Sequence, residues 1–209
     1  MFPAYRWDVE AAGCIMKSKT TTKEIIARSL VRLATKKSID KITIQEIAAD
    51  SGLTKTTFYN HFRDKYDLIA WSYAEPMRKI KDRIGREDYT LHDAIMDTLR
   101  YLGENRKFIL NALKNSSGQN YFLHHVARVH SALLCEVVTA ESGVAGTSPK
   151  MEALIKLYIY GVAQMICEWM LDGMPIPAEE FAALLEEGMP EGLKPYLHKR
   201  NAEGCGTTE

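Results

Sequence analysis

Gly52 stands between two short helical patterns, and this arrangement constrains the fold more than any other feature of the chain. In "KITIQEIAADSG" Thr43 is placed as an N-cap with Glu46 three residues on, the capping-box spacing. Ile44, Ile47 and Ala48 fall on one face, and Gly52 ends the helix where a left-handed φ is expected. Thr54 is placed to cap the next helix, whose inward side reads as Phe58, Tyr59 and Phe62. Asp64 then caps a longer helix through Leu68, Ile69, Trp71 and Tyr73, within which Pro76 should impose a kink or a reset. Two short helices joined by so tight a turn form a helix-turn-helix, with Ala48 small enough to let the second helix cross closely. The exposed side of that second helix carries Lys55, Thr56, Thr57, Asn60 and His61. Such a helix suits a DNA major groove, where hydroxyls, amides and cations reach phosphates and base edges.

The rest of the chain keeps the helical period. From Thr22, Ile25, Ile26, Ser29, Leu30 and Leu33 line one face opposite Lys23, Arg28 and Arg32, until "KKSID" interrupts. "YTLHDAIMDTLRYLGENR" is an amphipathic helix capped at Thr90, and "KFILNALK" a short apolar one followed by the loop "NSSGQN". Residues 120–140 and 150–171 read as long helices, and Pro177 opens a last helix through Leu185. Strand alternation is confined to "YIYGV", inside a helical period, so the chain is expected to be all-α.

Charge is unevenly distributed although the formal net is +0. Residues 17–86 hold 16 Lys/Arg against 8 Asp/Glu, whereas residues 87–209 hold 10 against 17. A basic front and an acidic back point to a polyanionic partner for the front alone. Cys14, Cys135, Cys167 and Cys205 form no CxxC pair; Cys135 and Cys167 read as small buried core residues. "HHVARVH" spaces its histidines by five and six residues, not the four that put two ligands on one helical face, so no metal site is expected. Neither a nucleophile–base pair nor a phosphate-binding glycine loop is visible, which speaks against an enzyme, and no cofactor is expected. No apolar run reaches the roughly 18 residues that cross a bilayer, and the start lacks the order of a secretion signal. The expectation is a cytoplasmic protein that does not engage membranes. Met16 precedes a lysine-rich helix start and is an alternative point for translation to begin.

"TIQEIAADSGLTKTTFYNHFRDKYDLI" resembles the N-terminal module of TetR-type transcriptional regulators. Their pattern is T-x-x-x-I-A-x-x-x-G followed by V/L-[ST]-x-x-T-x-Y-x-[HY]-F-x-x-K-x-x-L, met at every position over residues 43–68. The resemblance implies an N-terminal three-helix DNA-binding domain over 17–70 and a helical dimerisation and regulatory domain over 71–200. Residues 1–16 would be a flexible arm and 201–209 a disordered tail. It implies further that Thr43, Thr54, Lys55, Thr56 and Thr57 face bases or nearby phosphates, with Asn60 beside them. Tyr59 and His61 would grip phosphates, and Lys65 would bind another.

The back half, "YIYGVAQMICEWMLDGMPIPAEEFAALLEEGMPEGL", is similar to the subgroup that includes the regulator of dihydroxyacetone kinase operons, carried by Gly161, Trp169, Gly173 and Pro177. In TetR-type proteins the last two long helices pair across a two-fold axis, which here implicates Leu154, Leu157, Gly161, Met165, Trp169, Phe181 and Leu184. Trp169 serves equally well as intrachain packing. An effector pocket among the middle helices would use Tyr101, Phe108, Tyr121, His125 and Tyr158. The resemblance therefore implies a homodimeric repressor on a palindromic operator of double-stranded DNA, modulated by a small-molecule effector or a protein co-regulator. Its alternatives are an activator, or a helical interaction module that answers to a protein partner.

Overall fold

The computed structural model describes residues 20–84, 89–115, 121–143 and 145–197; the expected arm at 1–16, the tail at 201–209 and most of the "NSSGQN" loop lie outside them. Among the described residues the regular elements are all helices. In order they are α1 (Thr22–Ala34), the 3-10 turn η1 (Ile39–Lys41), α2 (Ile44–Ser51), α3 (Lys55–Tyr59), α4 (Lys65–Lys81), α5 (Leu91–Glu104) and α6 (Arg106–Asn115). They continue with α7 (Tyr121–Ser142), α8 (Pro149–Leu171), α9 (Ala178–Glu187) and the 3-10 turn η2 (Lys194–Tyr196). The chain divides into two compact units, Met1–Tyr73 with Arg100–Phe122 and Ala74–Leu99 with Leu123–Glu209.

The first unit is built around α1, α2 and α3. Ile26, Leu30, Ile47, Ala48 and Phe58 form its interior, while Ile25, expected on the buried face of α1, is turned outward. The face is instead closed by Ala27 and Ala34, small residues whose burial the strong aliphatic pattern had masked. Ser29, fully buried, donates to Asp50 Oδ2 at 2.6 Å with Ile47 O also 3.1 Å away. Arg32 pairs with the same carboxylate, and the Arg32 and Ser29 contacts hold Asp50 below its usual range. Asn111 of α6 donates to Ala34 O and Lys37 O, both at 2.8 Å, and accepts from Ile39 N–H at 3.0 Å. One side chain thus satisfies the end of α1 and the start of η1, backbone groups that a helix end otherwise leaves orphaned.

α4 runs unbroken through Pro76. Proline cannot donate to the carbonyl four residues back, which here is Ser72 O. The hydroxyl of buried Tyr101 donates to that carbonyl instead, at 3.1 Å. Tyr73 packs its ring on Tyr101 and Phe122, and burial pushes both tyrosine hydroxyls far above their ordinary pKa.

In the second unit Ala127, Val138, Ile155, Ile159 and Ala163 form the core with Met189, Leu193 and Leu197. α8 is long and apolar enough, by length and average composition, to cross a membrane, although no uninterrupted apolar run in it reaches that length. Its Ile155, Ile159 and Ala163 pack inside the unit, and Lys150, Glu152, Lys156 and Glu168 interrupt it. Trp169 stacks on Phe181 at 4.8 Å and 11°, and its Nε1 donates to Ile176 O at 2.8 Å. Cys135 and Cys167 are half-buried rather than buried, and burial raises the Cys167 thiol.

Candidate nucleic-acid interface

Helix starts at the candidate interface are fixed by local caps. Thr43 Oγ1 accepts from Glu46 N–H at 3.2 Å and donates to Glu46 Oε2 at 2.9 Å, while Thr43 N–H donates to the same carboxylate at 2.8 Å. Lys37 Nζ reaches Glu46 from the other side at 2.5 Å, and the Lys37 and Thr43 bonds hold the Glu46 carboxyl down to about 2. Gly52 then takes φ 70° and returns its N–H to Ala48 and Ala49 carbonyls. A Cβ there would meet nothing within 4 Å, so the left-handed φ, not a close approach, calls for glycine. Thr54 Oγ1 accepts from Thr57 N–H at 3.0 Å and lies 2.9 Å from Thr57 Oγ1, which fixes the first turn of α3.

The caps leave one face of α3 to solvent. Lys55, Thr56, Tyr59 and Asn60 are exposed, with His61 partly so. Tyr59 is 56% exposed, so its inward placement is corrected: Phe58 and Phe62 fill the interior, and Tyr59 lies edge-on to Phe58 with its hydroxyl outward. Nearby acids are matched by bases: Asp50 with Arg32, Glu46 with Lys37, Asp67 with Arg63. Among the described residues Lys55 has no such partner, which leaves a cation, two hydroxyls, an amide and an imidazole facing outward within seven positions.

Lys65 departs from the phosphate role that the resemblance gives it. Its Nζ donates to Ile39 O at 2.7 Å, Asp40 O at 3.1 Å and Ile42 O at 3.0 Å, using all three ammonium protons on the η1 turn. The side chain is a staple between α4 and η1. Lys23, read as part of a solvated face, lies 5.5 Å from the centroid of Phe62 and 5.9 Å from that of Trp71, a cation–π seat.

The residues expected to line an effector pocket divide between the two units. Tyr101 and Phe108 are buried in the first unit, and Tyr121 is exposed against Tyr66. Tyr158 lines a cavity whose wall does not include His125. That cavity, about 130 Å³, lies within the second unit between α4, α5, α7, α8 and α9. Aliphatic side chains wall it except at Lys81, Thr98, His130 and Tyr158. Burial pushes His130 down to about 4, and burial together with Glu186 pushes Tyr158 up to about 12.

The expected dimer residues, on α8 and α9, separate into buried and exposed sets. Trp169 and Phe181 are buried within the chain, and Leu154 packs on its core, where a Cβ on Gly192 would come within 3.1 Å of Leu154 Cδ2. Leu157, Gly161, Met165 and Leu184 are exposed, with Leu157 75% accessible. α8 is apolar on both faces, so periodicity alone could not divide them.

Two family models match the chain: "Bacterial regulatory proteins, tetR family" over residues 26–70 and "Transcriptional regulator C-terminal region" over residues 89–190. The chain is similar to the HTH-type dhaKLM operon transcriptional activator DhaS of Lactococcus lactis subsp. lactis (strain IL1403), 26% identical over 93 residues, 44% of this chain and 49% of that protein. It therefore spans about half the length of the curated relative it matches. A solved dihydroxyacetone kinase operon activator DhaS aligns with TM-score 0.60 and 18% identity, over 84% of this chain and 98% of that one. A TetR transcriptional regulator from Rhodococcus sp. RHA1 aligns with TM-score 0.55 and 15% identity, over 84% and 97%. At these identities the structural likeness speaks for the fold.

Proposed function

This chain belongs to the TetR family of bacterial transcriptional regulators, and on that premise we propose that it is a homodimeric repressor of a palindromic operator, acting in the cytoplasm. The observation that carries the reading is the outward face of α3, where Lys55, Thr56, Tyr59, Asn60 and His61 stand exposed on a helix anchored from behind by Phe58 and Phe62. Lys55 and Thr56 read base edges, while Tyr59 and His61 hold the flanking phosphates. Thr43, Thr54 and Thr57 set the helix starts and reach DNA only through whatever their cap bonds leave over. The exposed strip Leu157, Gly161, Met165 and Leu184 supports pairing with a second copy, since glycine lets two helices approach closely. The DNA-binding domain is taken as 17–70 and the regulatory domain as 71–200. Effector binding in the second unit weakens operator affinity by favouring another spacing of the two α3 helices.

Activation is the second reading, and one observation favours it: the relatives named DhaS are described as activators. Selection of bound sequences from random DNA tests the main reading. Half-sites about one helical turn apart support it, and an unstructured pool contradicts it. Transcription in vitro from a promoter overlapping the selected site then decides the sign of control.

A further inference from the structure

The cavity in the second unit fixes the chemistry of what it can hold. Its volume of about 130 Å³ is close to the roughly 150 Å³ of an apolar protein cavity that takes benzene, so about five to seven non-hydrogen atoms fit. Lys81, Thr98, His130 and Tyr158 are the residues with polar side chains in an otherwise aliphatic lining. Lys81 Nζ lies 2.7 Å from Glu136 and 3.0 Å from Asp82, so its charge is already compensated. Thr98 donates its hydroxyl proton to Ala94 O at 2.8 Å, and Tyr158 donates its own to Leu185 O at 2.6 Å. Both hydroxyl oxygens retain lone pairs, so each can accept a hydrogen bond from a ligand hydroxyl. His130 is neutral there, because burial disfavours the imidazolium.

An anionic ligand would find no uncompensated cation. A polyol would set several hydroxyls against aliphatic carbon, where each unpaired group weakens binding. A ligand with one hydroxyl donates it to Tyr158 Oη or Thr98 Oγ1 and buries the remainder.

We infer that this cavity binds a neutral, mainly apolar molecule of about five to seven non-hydrogen atoms carrying one hydroxyl, of which a monohydric phenol is the type, and that it rejects carboxylates and small polyols. The inference rests on the reading that the second unit carries the effector response. It gives that unit a ligand class that the relatives' names do not suggest.

Four probes of similar size separate the chemistry: phenol, toluene, pentanoate and dihydroxyacetone, each at up to 1 mM with the purified full chain. Thermal denaturation and calorimetric titration are the readouts. At ten times its dissociation constant phenol raises the unfolding midpoint by about 3–6 °C. Toluene binds about tenfold more weakly, and pentanoate and dihydroxyacetone leave the midpoint unchanged. Val162→Phe, which fills the cavity, removes the phenol effect; if that variant does not fold, the ranking of the four probes on the natural chain still decides. Dihydroxyacetone or pentanoate binding as tightly as phenol overturns the inference, as does silence from all four. Operator binding is measured on the same sample. Operator bound without any probe effect sinks the cavity assignment alone, and a phenol effect without DNA binding sinks the proposed function alone.

Discussion

Replacing Lys65 by methionine keeps most of the side-chain volume and removes the ammonium. The three carbonyls it serves, at Ile39, Asp40 and Ile42, sit where η1 leads into α2. A hydrogen bond to a charged group contributes about 1.5–3 kcal/mol net, and three bonds to one hydrated ammonium fall well short of additive, so the expected loss is about 2–4 kcal/mol. The chain entering α2 should loosen, which shows as faster hydrogen exchange of Ile42 and Lys41, whose N–H groups donate to Ile39 O and Ser38 O. Urea denaturation followed by circular dichroism gives the stability, with an unchanged slope required for the comparison. DNA affinity of the folded variant, measured from 50 to 300 mM salt, gives the phosphate count. A phosphate-binding Lys65 would leave stability intact and flatten the salt slope by about one unit per contact. That outcome, a natural midpoint with a flatter slope, would refute the staple.

Tyr101→Phe should destabilise by about 1–3 kcal/mol, because Ser72 O is left without a donor. In a Pro76→Ala background, where the helix N–H is restored, urea denaturation should find most of that loss gone; equal losses in both backgrounds contradict the coupling. Glu46, held down to about 2 from 4.5 by Lys37 and Thr43, gives stability that is complete above pH 4.5 and lost as pH falls towards 2. Glu46→Gln should flatten the stability profile in that window, and an unchanged profile excludes the carboxylate as its source. Leu157→Glu should yield monomers in sedimentation without lowering the unfolding midpoint measured at low protein concentration. A variant that stays dimeric removes this strip from the interface.

Local geometry was the legible part of this molecule. The caps at Thr43 and Thr54 and the left-handed Gly52 depend on residues within four positions, and each stands in the structure as the spacing implies. Tyr59 was misplaced because Phe58, Tyr59 and Phe62 all look like anchors, and one short helix cannot bury three successive aromatic directions. Long-range partners leave no such trace. Nothing in "KFILNALK" tells that Asn111 closes the end of α1 about 75 residues away in sequence. Nor does Pro76 announce that Tyr101 replaces its missing donor. The cavity of the second unit, Tyr158 apart, left no trace for a related reason: its wall is aliphatic and indistinguishable by composition from packing, whereas the aromatics Tyr101 and Phe108 are core of the first unit.

The exposed face of α3 as a DNA-reading surface is tested most directly by comparing affinity for the selected site with that for a scrambled duplex of equal length, from 50 to 300 mM salt. A dimer that reads bases and grips phosphates should bind its site at least about 10³-fold more tightly than the scrambled duplex. With about six to ten phosphate contacts, its log–log salt slope should fall between about −5 and −9. Lys55→Ala should narrow the gap between the two duplexes without altering stability. Equal affinity for both duplexes, or a slope shallower than about −2, would contradict the assignment of α3 as a reader of DNA.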